Sequence, residues 1–325
     1  MPIDPSLSYY SDLAFRSAFV VYLIAAVLFA AELARSRVPA KVSVARVAVP
    51  VGARSATSPR GGEVPGRIEP PSGRSLDDRL GRMGFAVVTV GFGLHVTSIA
   101  LRGSATHRAP WGNMYEFISI ACAAGVLAGL VALRGPVLRR LWVFALFAVL
   151  ILMFVAGDLL YATAAPVVPA LQSYWLAIHV SIVSTGSGVF LISGVASALF
   201  LVRRRFDEPT GLLGRFAQRL PDMATLDRVA YRTTVFAFPL FSAGVILGAI
   251  WAEAAWGRFW GWDPKETTSF IAWVLYAAYL HARATSGWRS DRAAWINVAG
   301  LIAMLFNLFV INIVVSGLHS YAGLN

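Results

Sequence analysis

The chain has 325 residues, of which 57% are hydrophobic and 14% are charged, and its mean hydropathy is +0.65. This composition excludes an ordinary soluble domain and indicates a polytopic membrane protein. The net charge of +11 predicts no nucleic-acid partner, because basic residues in a membrane protein usually mark its cytoplasmic loops. The single cysteine, Cys122, lies in an apolar run, which excludes a disulfide framework, a CxxC redox pair and a cysteine-based zinc site.

Apolar runs predict an all-α fold with about eight transmembrane helices, since about 20 apolar residues are needed to cross a bilayer. The runs lie at residues 15–33, 83–101, 114–133, 141–162, 174–202, 233–251, 267–284 and 293–316. Residues 1–34 contain the first helix. Asp4 and Asp12 precede its apolar run where a signal peptide would be basic, so we do not expect cleavage.

Lysine and arginine are distributed unevenly between the segments that connect these runs. If the N-terminus is outside, the inside segments 34–82, 134–140, 203–232 and 283–292 hold 23 of the 28 basic residues. The positive-inside rule therefore predicts that both termini are extracytoplasmic, and we expect a multi-pass protein of the plasma membrane.

Residues 35–80 contain six prolines, many small residues and spaced arginines. Such a segment cannot bury enough apolar surface to fold alone, so it predicts a flexible basic cytoplasmic linker that contacts anionic membrane lipid. Residues 203–232 are expected to form a short amphipathic inside segment. Residues 81–325 then form the main transmembrane domain.

The segment 251–266, WAEAAWGRFWGWDPKE, holds four of the ten tryptophans in the chain. It lies between two apolar runs, so it is predicted to rest against the bilayer outside the membrane. Tryptophan is common at that depth, and an interfacial aromatic belt is one interpretation. Four indoles within twelve residues, with Gly257 and Gly261 between them, also fit a platform for a large flat ligand.

Histidines occur at both predicted faces of the membrane. His179 and His319 fall on the face that carries the tryptophans, and His281 lies at the inner end of its helix. Neutral imidazole is a good ligand for haem iron, and Arg258 and Lys265 would be available for the haem propionates. Zinc is an alternative, although a zinc site would not need four indoles. His95 and His107 are interpreted as structural.

The segment from Trp256 to Glu266 resembles the WWD signature of the haem-handling proteins of cytochrome c assembly. Further segments resemble that family in the same order: PWGNMYE at 110–116, SYWLAIHV at 173–180, YLHAR at 279–283 and LHSY at 318–321. The resemblance covers roughly residues 83–325 and favours the CcsA/ResC type of system II over the shorter CcmC and the longer CcmF. Thr268 departs from the pattern, because a tryptophan often stands there in the family.

The resemblance implies that His179 and His319 are axial ligands of a haem b on the outer side. It implies that the ring pocket is formed by residues of the signature, namely Trp256, Trp260, Trp262, Asp263, Arg258, Lys265 and Glu266. His281 would share an inner haem with a histidine of a separate CcsB/ResB-type partner. The chain would then be a subunit of a cytochrome c synthase (haem lyase) that acts on the CxxCH motif of apocytochrome c, with separate thiol-reducing proteins.

Two other functions stay open at this point. A membrane b-type cytochrome would explain histidines at both faces, and a transporter for another solute would explain the aromatic residues as a gate. Two carboxylates near the outer boundary, Glu116 and Asp158, are either functional groups or structural partners of Arg102 and Arg108. The asparagines of the last run are expected to form interhelical hydrogen bonds.

Overall fold

A computed structural model describes residues 3–36, 75–167, 169–285, 288 and 291–319. The described residues are helical, without strands, as predicted. The helices are α1 (Pro5–Arg35), α2 (Leu76–Thr106), α3 (Met114–Ala132), α4 (Trp142–Phe154), α5 (Tyr174–Arg205), α6 (Gly211–Ala217), α7 (Met223–Trp256), α8 (Pro264–Ala284) and α9 (Asp291–Ile313). A 3-10 turn (Leu138–Leu141) leads into α4, a π turn (Val155–Leu159) follows it, and a further 3-10 turn (Pro169–Leu171) precedes α5.

Seven of the described helices are long and apolar enough to cross a membrane. Helix α8 lies between two of these helices, and its 21 residues extend about 31 Å, which is long enough for an eighth crossing. It is more polar than the others because Lys265, Glu266, His281 and Arg283 lie near its ends. The prediction of about eight transmembrane helices is therefore confirmed, and the short α6 joins α5 to α7 outside the predicted spans.

Several helices begin before the apolar runs that predicted them. Helix α1 begins at Pro5, α2 at Leu76 and α7 at Met223, because polar turns continue these helices beyond the membrane-spanning part. The predicted boundary of the linker at residue 80 consequently falls inside α2. Most of the predicted linker, residues 37–74, lies outside the described residues.

Short polar side chains begin the crossing helices. Asp4 caps α1, Asn113 caps α3, Ser173 caps α5, Asp222 caps α7 and Asp263 caps α8, each accepting a hydrogen bond from a backbone N–H of the first turn. These N–H groups have no partner within the helix, so the caps fix where each helix starts.

Helix α5 lies at the centre of the fold. It packs most extensively against α7, and also against α3 and α9, while α8 closes a four-helix group by packing against α7 and α9. Glycines allow close approach: a Cβ at Gly186 would lie 3.0 Å from the backbone nitrogen of Phe241 on α7. The principal contacts of α1 and α2 are with each other and with α3 and α4.

The bundle has two chemically different ends. The tryptophan end carries Asp4, the loops before α3, α5 and α8, and the segment after α9. The opposite end, called the basic end, holds Arg139 between Glu32 and Asp78, at 3.2 and 2.8 Å. The distribution of basic residues predicts that the tryptophan end is extracytoplasmic, and that orientation stays a prediction.

Candidate functional site

A cavity of about 200 Å³ opens at the tryptophan end among α3, α4, α5, α7, α8 and α9. Both His179 and His319 line it, together with Trp251, Trp256 and Trp260. Most of the remaining lining is aliphatic. The fold thus brings together the two histidines and three of the tryptophans that the sequence placed on one face of the membrane.

His179 lies in the second turn of α5 and is held by α7. Its Nδ1–H donates a hydrogen bond of 2.7 Å to the carbonyl oxygen of Gly244. The ring fits against Gly248, where a Cβ would lie only 2.7 Å from Cε1 of the imidazole. Because Nδ1 carries the proton, Nε2 carries the lone pair that a metal ligand needs.

His319 follows the end of α9 and is held by the start of α8. Its Nδ1 lies 2.8 Å from Oδ2 of Asp263. The backbone N–H of Leu318 donates to the other oxygen of the same carboxylate, also at 2.8 Å. Asp263 therefore fixes both the position of the segment after α9 and the tautomer of His319 that carries its lone pair on Nε2.

The Asp263–His319 pair has shifted acid–base properties. Burial raises the pKa of Asp263, but the hydrogen bonds from His319 and from Leu318 outweigh burial and hold that pKa at about 2. Burial lowers the pKa of His319 below its ordinary 6.5, and the hydrogen bond with Asp263 opposes this only in part. At neutral pH the pair is consequently a carboxylate and a neutral imidazole, the form that binds iron.

The charged residues of the tryptophan segment stabilise the local backbone conformation of that segment. Asp263 and Glu266 form a capping box at the start of α8, and Oε2 of Glu266 accepts hydrogen bonds from the N–H groups of Gly261 and Asp263, at 2.8 and 3.1 Å. Nη1 of Arg258 lies 3.9 Å from the same oxygen, and its guanidinium packs so closely on Gly261 that any Cβ there would collide with it.

The tryptophans take different positions. Trp251 lies parallel to His179, with 6.3 Å between ring centroids, and edge-on to His319 at 6.0 Å. The ring centroids of Trp256 and His319 lie 5.1 Å apart. Trp260 lines the outer part of the cavity, whereas Trp262 is 68% exposed, contacts Trp260 at 5.8 Å and does not line the cavity.

Lys265 is the basic residue that lines the cavity. Its Nζ donates a 2.5 Å hydrogen bond to Oδ1 of Asn312 on α9. Asn307 donates to the carbonyl oxygen of Lys265 and to Ser269, so both asparagines form the predicted interhelical hydrogen bonds. The ammonium group is thereby placed beside the two histidines at the cavity wall.

His281 is not part of this cluster. It lies in the last turn of α8 at the basic end, 18 residues from Asp263 and so about 27 Å farther along the bundle. Its side chain is exposed. The structure leaves its predicted role as an inner ligand a prediction.

The other polar residues considered from the sequence lie outside this cluster, and Glu116 and His95 have structural partners. Glu116 is bound by Arg102 and Arg108, at 3.0 and 2.9 Å. Buried His95 contacts Tyr22 and Ser119. His107 ends α2 in the left-handed conformation, and Asp158 is exposed on the π turn. No group of three potential metal-binding side chains occurs within the described residues, so the zinc interpretation has no ligand set there.

Two contributors to the site were not identified from the sequence, and a third, Trp251, was included in the tryptophan segment without a role beside the histidines. Trp251 contacts both imidazoles, Gly244 supplies the acceptor for His179, and Gly248 supplies the space for its ring. The two glycines form a G-x-x-x-G spacing in an apolar helix, which indicates close helix packing and could have drawn attention to this part of α7.

Residues 111–319 match the family model described as Cytochrome C assembly protein. A cytochrome c biogenesis protein CcsA of Synechococcus sp. (strain CC9902) is 32% identical over 271 residues, which is 76% of this chain and 88% of that relative. The chain belongs to the cytochrome c assembly protein family and is of the CcsA type. The predicted family is confirmed, and with it a role in cytochrome c biogenesis.

A second relative agrees with this assignment, and one solved structure shares the fold. CcsA of Guillardia theta is 39% identical over 176 residues, and the match spans 50% of this chain and 58% of that relative. The solved structure of the cytochrome c heme lyase CcmF has a similar fold, with a TM-score of 0.61 and 16% identity. That match covers 95% of this chain and 47% of the solved chain. The likeness to CcmF concerns the fold alone.

Proposed function

We propose that the chain binds haem b in the cavity at the tryptophan end and presents it on the extracytoplasmic side of the plasma membrane to apocytochrome c. The observation that carries this proposal is the paired anchoring of two imidazoles. His179 and His319 line one cavity, and each has its Nδ1 bonded to a fixed oxygen acceptor. Such outer hydrogen bonds orient a ligating imidazole and make its Nε2 more basic.

The remaining lining fits a flat, apolar substrate with acidic side chains. Trp251, Trp256 and Trp260 supply aromatic surface, and Lys265 supplies a cation for a propionate. Arg258 is turned towards Glu266, so we assign it to the fold of the segment more than to the propionates. Trp262 is expected to contribute less to ring binding than Trp256, because it lies outside the cavity lining.

The reaction served would be thioether formation. The histidine of the CxxCH motif replaces one imidazole of this chain, and each cysteine adds to one haem vinyl group. A sulfur–carbon bond forms at one vinyl carbon and the thiol hydrogen passes to the other, so the addition is not itself an oxidation or a reduction. This chain has one cysteine, which is buried, so other proteins must keep the acceptor thiols reduced.

A CcsB/ResB-type partner is proposed to bind at the basic end. His281 is exposed on α8 there and would supply one ligand of an inner haem, with the second ligand coming from the partner. If so, an inner haem should be six-coordinate only in the complex. An inner bis-histidine spectrum that persists in the isolated chain would exclude this sharing.

The decisive experiment is covalent haem attachment to a co-expressed CxxCH reporter, with pyridine haemochrome analysis of the purified chain. Haem b in the chain and attached haem in the reporter are expected. Haem b without reporter attachment would favour a b-type cytochrome. Absence of haem from an otherwise folded chain would favour a transporter for another solute.

A further inference from the structure

The cavity extends far below the two histidines. Its lining on α5 runs from Leu176 to Leu191, which corresponds to about 22 Å along the helix. The deeper lining includes Ala272 on α8, Met304 on α9 and Ser187 on α5, and it is predominantly apolar. The histidines thus lie at the upper part of an apolar chamber that reaches well into the membrane-spanning region.

The chamber is closed towards the basic end by a layer of aromatic rings. Phe190 and Tyr276 stack with their centroids 3.5 Å apart, and Phe241 lies edge-on to Phe190 at 5.7 Å. These rings belong to α5, α8 and α7. Helix α9 completes the layer, because a Cβ at Gly300 would lie 3.0 Å from the ring of Tyr276. All three aromatic side chains are buried, so the axis of the four-helix group is blocked at this level.

The chamber has a side wall that no helix pair closes tightly. Phe117 of α3 and Leu152 of α4 line it on one side, and Leu305 and Leu308 of α9 line it on the other. Within the described residues, α3 and α4 make only sparse contacts with α9. Helix α5 packs against both α3 and α9 and is the main connection between the two sides. We call this line between α4 and α9 the seam. Leu152, Leu305 and Leu308 are half-buried along it.

We propose that the planar haem ligand reaches the outer site sideways, from the bilayer through the seam, and not along the axis of the four-helix group. This inference rests on the proposed function. An apolar macrocycle partitions into the bilayer and would meet apolar side chains at the seam, namely leucines and Phe117, so it would lose little solvation there. Lys265 lies at the tryptophan end of the same chamber, where it would meet the carboxylates of a ring that enters edge-on.

A substitution along the entry path should change the rate constants for haem binding and haem release by the same factor and leave Kd unchanged. A substitution in the binding site should change Kd itself. The test uses the full chain in lipid nanodiscs, with haemin as the probe and stopped-flow absorbance as the readout. Leu305→Trp and Leu152→Trp should each lower both rate constants by about tenfold while Kd stays within about threefold of the wild type. Ile302→Trp and Ile151→Trp are matched controls on the same helices, because these side chains face outwards with 60% and 47% exposure.

Two more variants complete the test. Leu305→Ala should widen the seam and raise both rates, which guards against a tryptophan variant that fails to fold. Phe190→Ala opens the aromatic layer and should leave both rates unchanged. Unchanged rates in Leu305→Trp, Leu152→Trp and Leu305→Ala would overturn the proposal, as would faster binding and release in Phe190→Ala alone. A wild-type chain that binds no haemin would instead refute the proposed function.

Discussion

Asp263 Oδ2 and His319 Nδ1 lie 2.8 Å apart, and this contact joins the first residue before α8 to the segment after α9. The aspartate of the WWD segment is therefore a partner of the second histidine. Its other contacts, to the N–H groups of Lys265 and Leu318, make the same carboxylate a helix cap and a tether.

Asp263→Asn should weaken the outer haem site without unfolding the chain. Asparagine also caps helices, but it removes the negative charge that makes the His319 imidazole a stronger ligand. We expect haem affinity to fall by about 10- to 100-fold and the haem reduction potential to rise. Equilibrium haem titration and potentiometry of the purified chain measure both quantities.

Asp222→Asn is the matched control, because Asp222 caps α7 at the basic end in the same way. It should leave the haem affinity and the reduction potential as in the wild type. Equal effects of the two substitutions would show that Asp263 acts only as a cap.

Acid should affect the Asp263–His319 pair in two separate pH ranges. The lowered pKa of His319 means that the unfolded chain binds more protons, so stability falls as the pH drops below 6.5 and levels off beneath the folded pKa. The lowered pKa of Asp263 adds stability that is complete above its ordinary 3.8 and is lost as the pH falls towards about 2. Unfolding of the wild type and Asp263→Asn should therefore differ fully at pH 7, and the difference should shrink only below about pH 4. A difference that disappears already at pH 6 would contradict the assignment.

The ligands and the ring pocket should respond differently to added imidazole. His179→Ala and His319→Ala each open a coordination position, so reporter cytochrome yield should fall sharply and recover in part with imidazole. Trp256→Ala and Trp260→Ala should lower haem occupancy without such recovery, because no ligand is missing. Reporter yield with and without imidazole measures the distinction.

His107→Asn is the control for these variants, since asparagine tolerates the left-handed backbone of that position and His107 lies outside the cavity lining. It should leave yield and spectrum unaltered. Recovery of Trp256→Ala by imidazole, or a normal haem spectrum in His319→Ala, would contradict the ligand assignment.

Gly248→Ala should disturb haem binding although the residue bears no functional group. The added Cβ would lie 2.7 Å from Cε1 of His179, so the imidazole must turn away from the Gly244 carbonyl. We expect a loss of about tenfold or more in haem affinity, comparable to other disruptions of ligand orientation. Gly93→Ala is the control, because apart from its chain neighbours and the backbone of its own helix nothing lies within 4 Å of its Cβ position. A normal affinity in Gly248→Ala would show that the His179 ring is not held as described.

Sidedness can be tested with single cysteines, since the native Cys122 is buried. Glu253 is exposed at the tryptophan end and Leu212, on α6, is 82% exposed at the basic end. A membrane-impermeant thiol reagent should label Glu253→Cys in intact cells and Leu212→Cys only in permeabilised cells. The reverse pattern would invert the predicted orientation.

The number of crossing helices and the shared location of His179, His319 and the tryptophan segment at one end of the bundle could be predicted, because both depend on strong local signals. Long apolar runs predicted the helices, and the alternation of the crossings placed His179, His319 and the tryptophan segment on one face and His281 on the other. The starts of α1, α2 and α7 were predicted too late, because hydropathy does not register polar helical turns outside the bilayer.

Contacts between distant parts of the chain could not be predicted in the same way. The pairing of His319 with Asp263 and of His179 with Gly244 depends on which helices are neighbours, and composition does not determine that. Which tryptophans line the cavity could not be predicted either. Trp262 has a positive φ of 57° and is turned outwards, a feature of the folded turn that the spacing of the tryptophans does not reveal.

The attachment of His319 to the start of α8 has a consequence for biosynthesis. His179, Trp251 and the whole tryptophan segment are made before α9, but the second imidazole is placed only after α9 has been inserted and the following segment has returned to Asp263. A chain that stops short of this point carries nearly the entire cavity with one of its two anchored imidazoles. If both imidazoles bind the haem iron as proposed, truncated products are therefore expected to hold haem with at most one axial ligand from this chain.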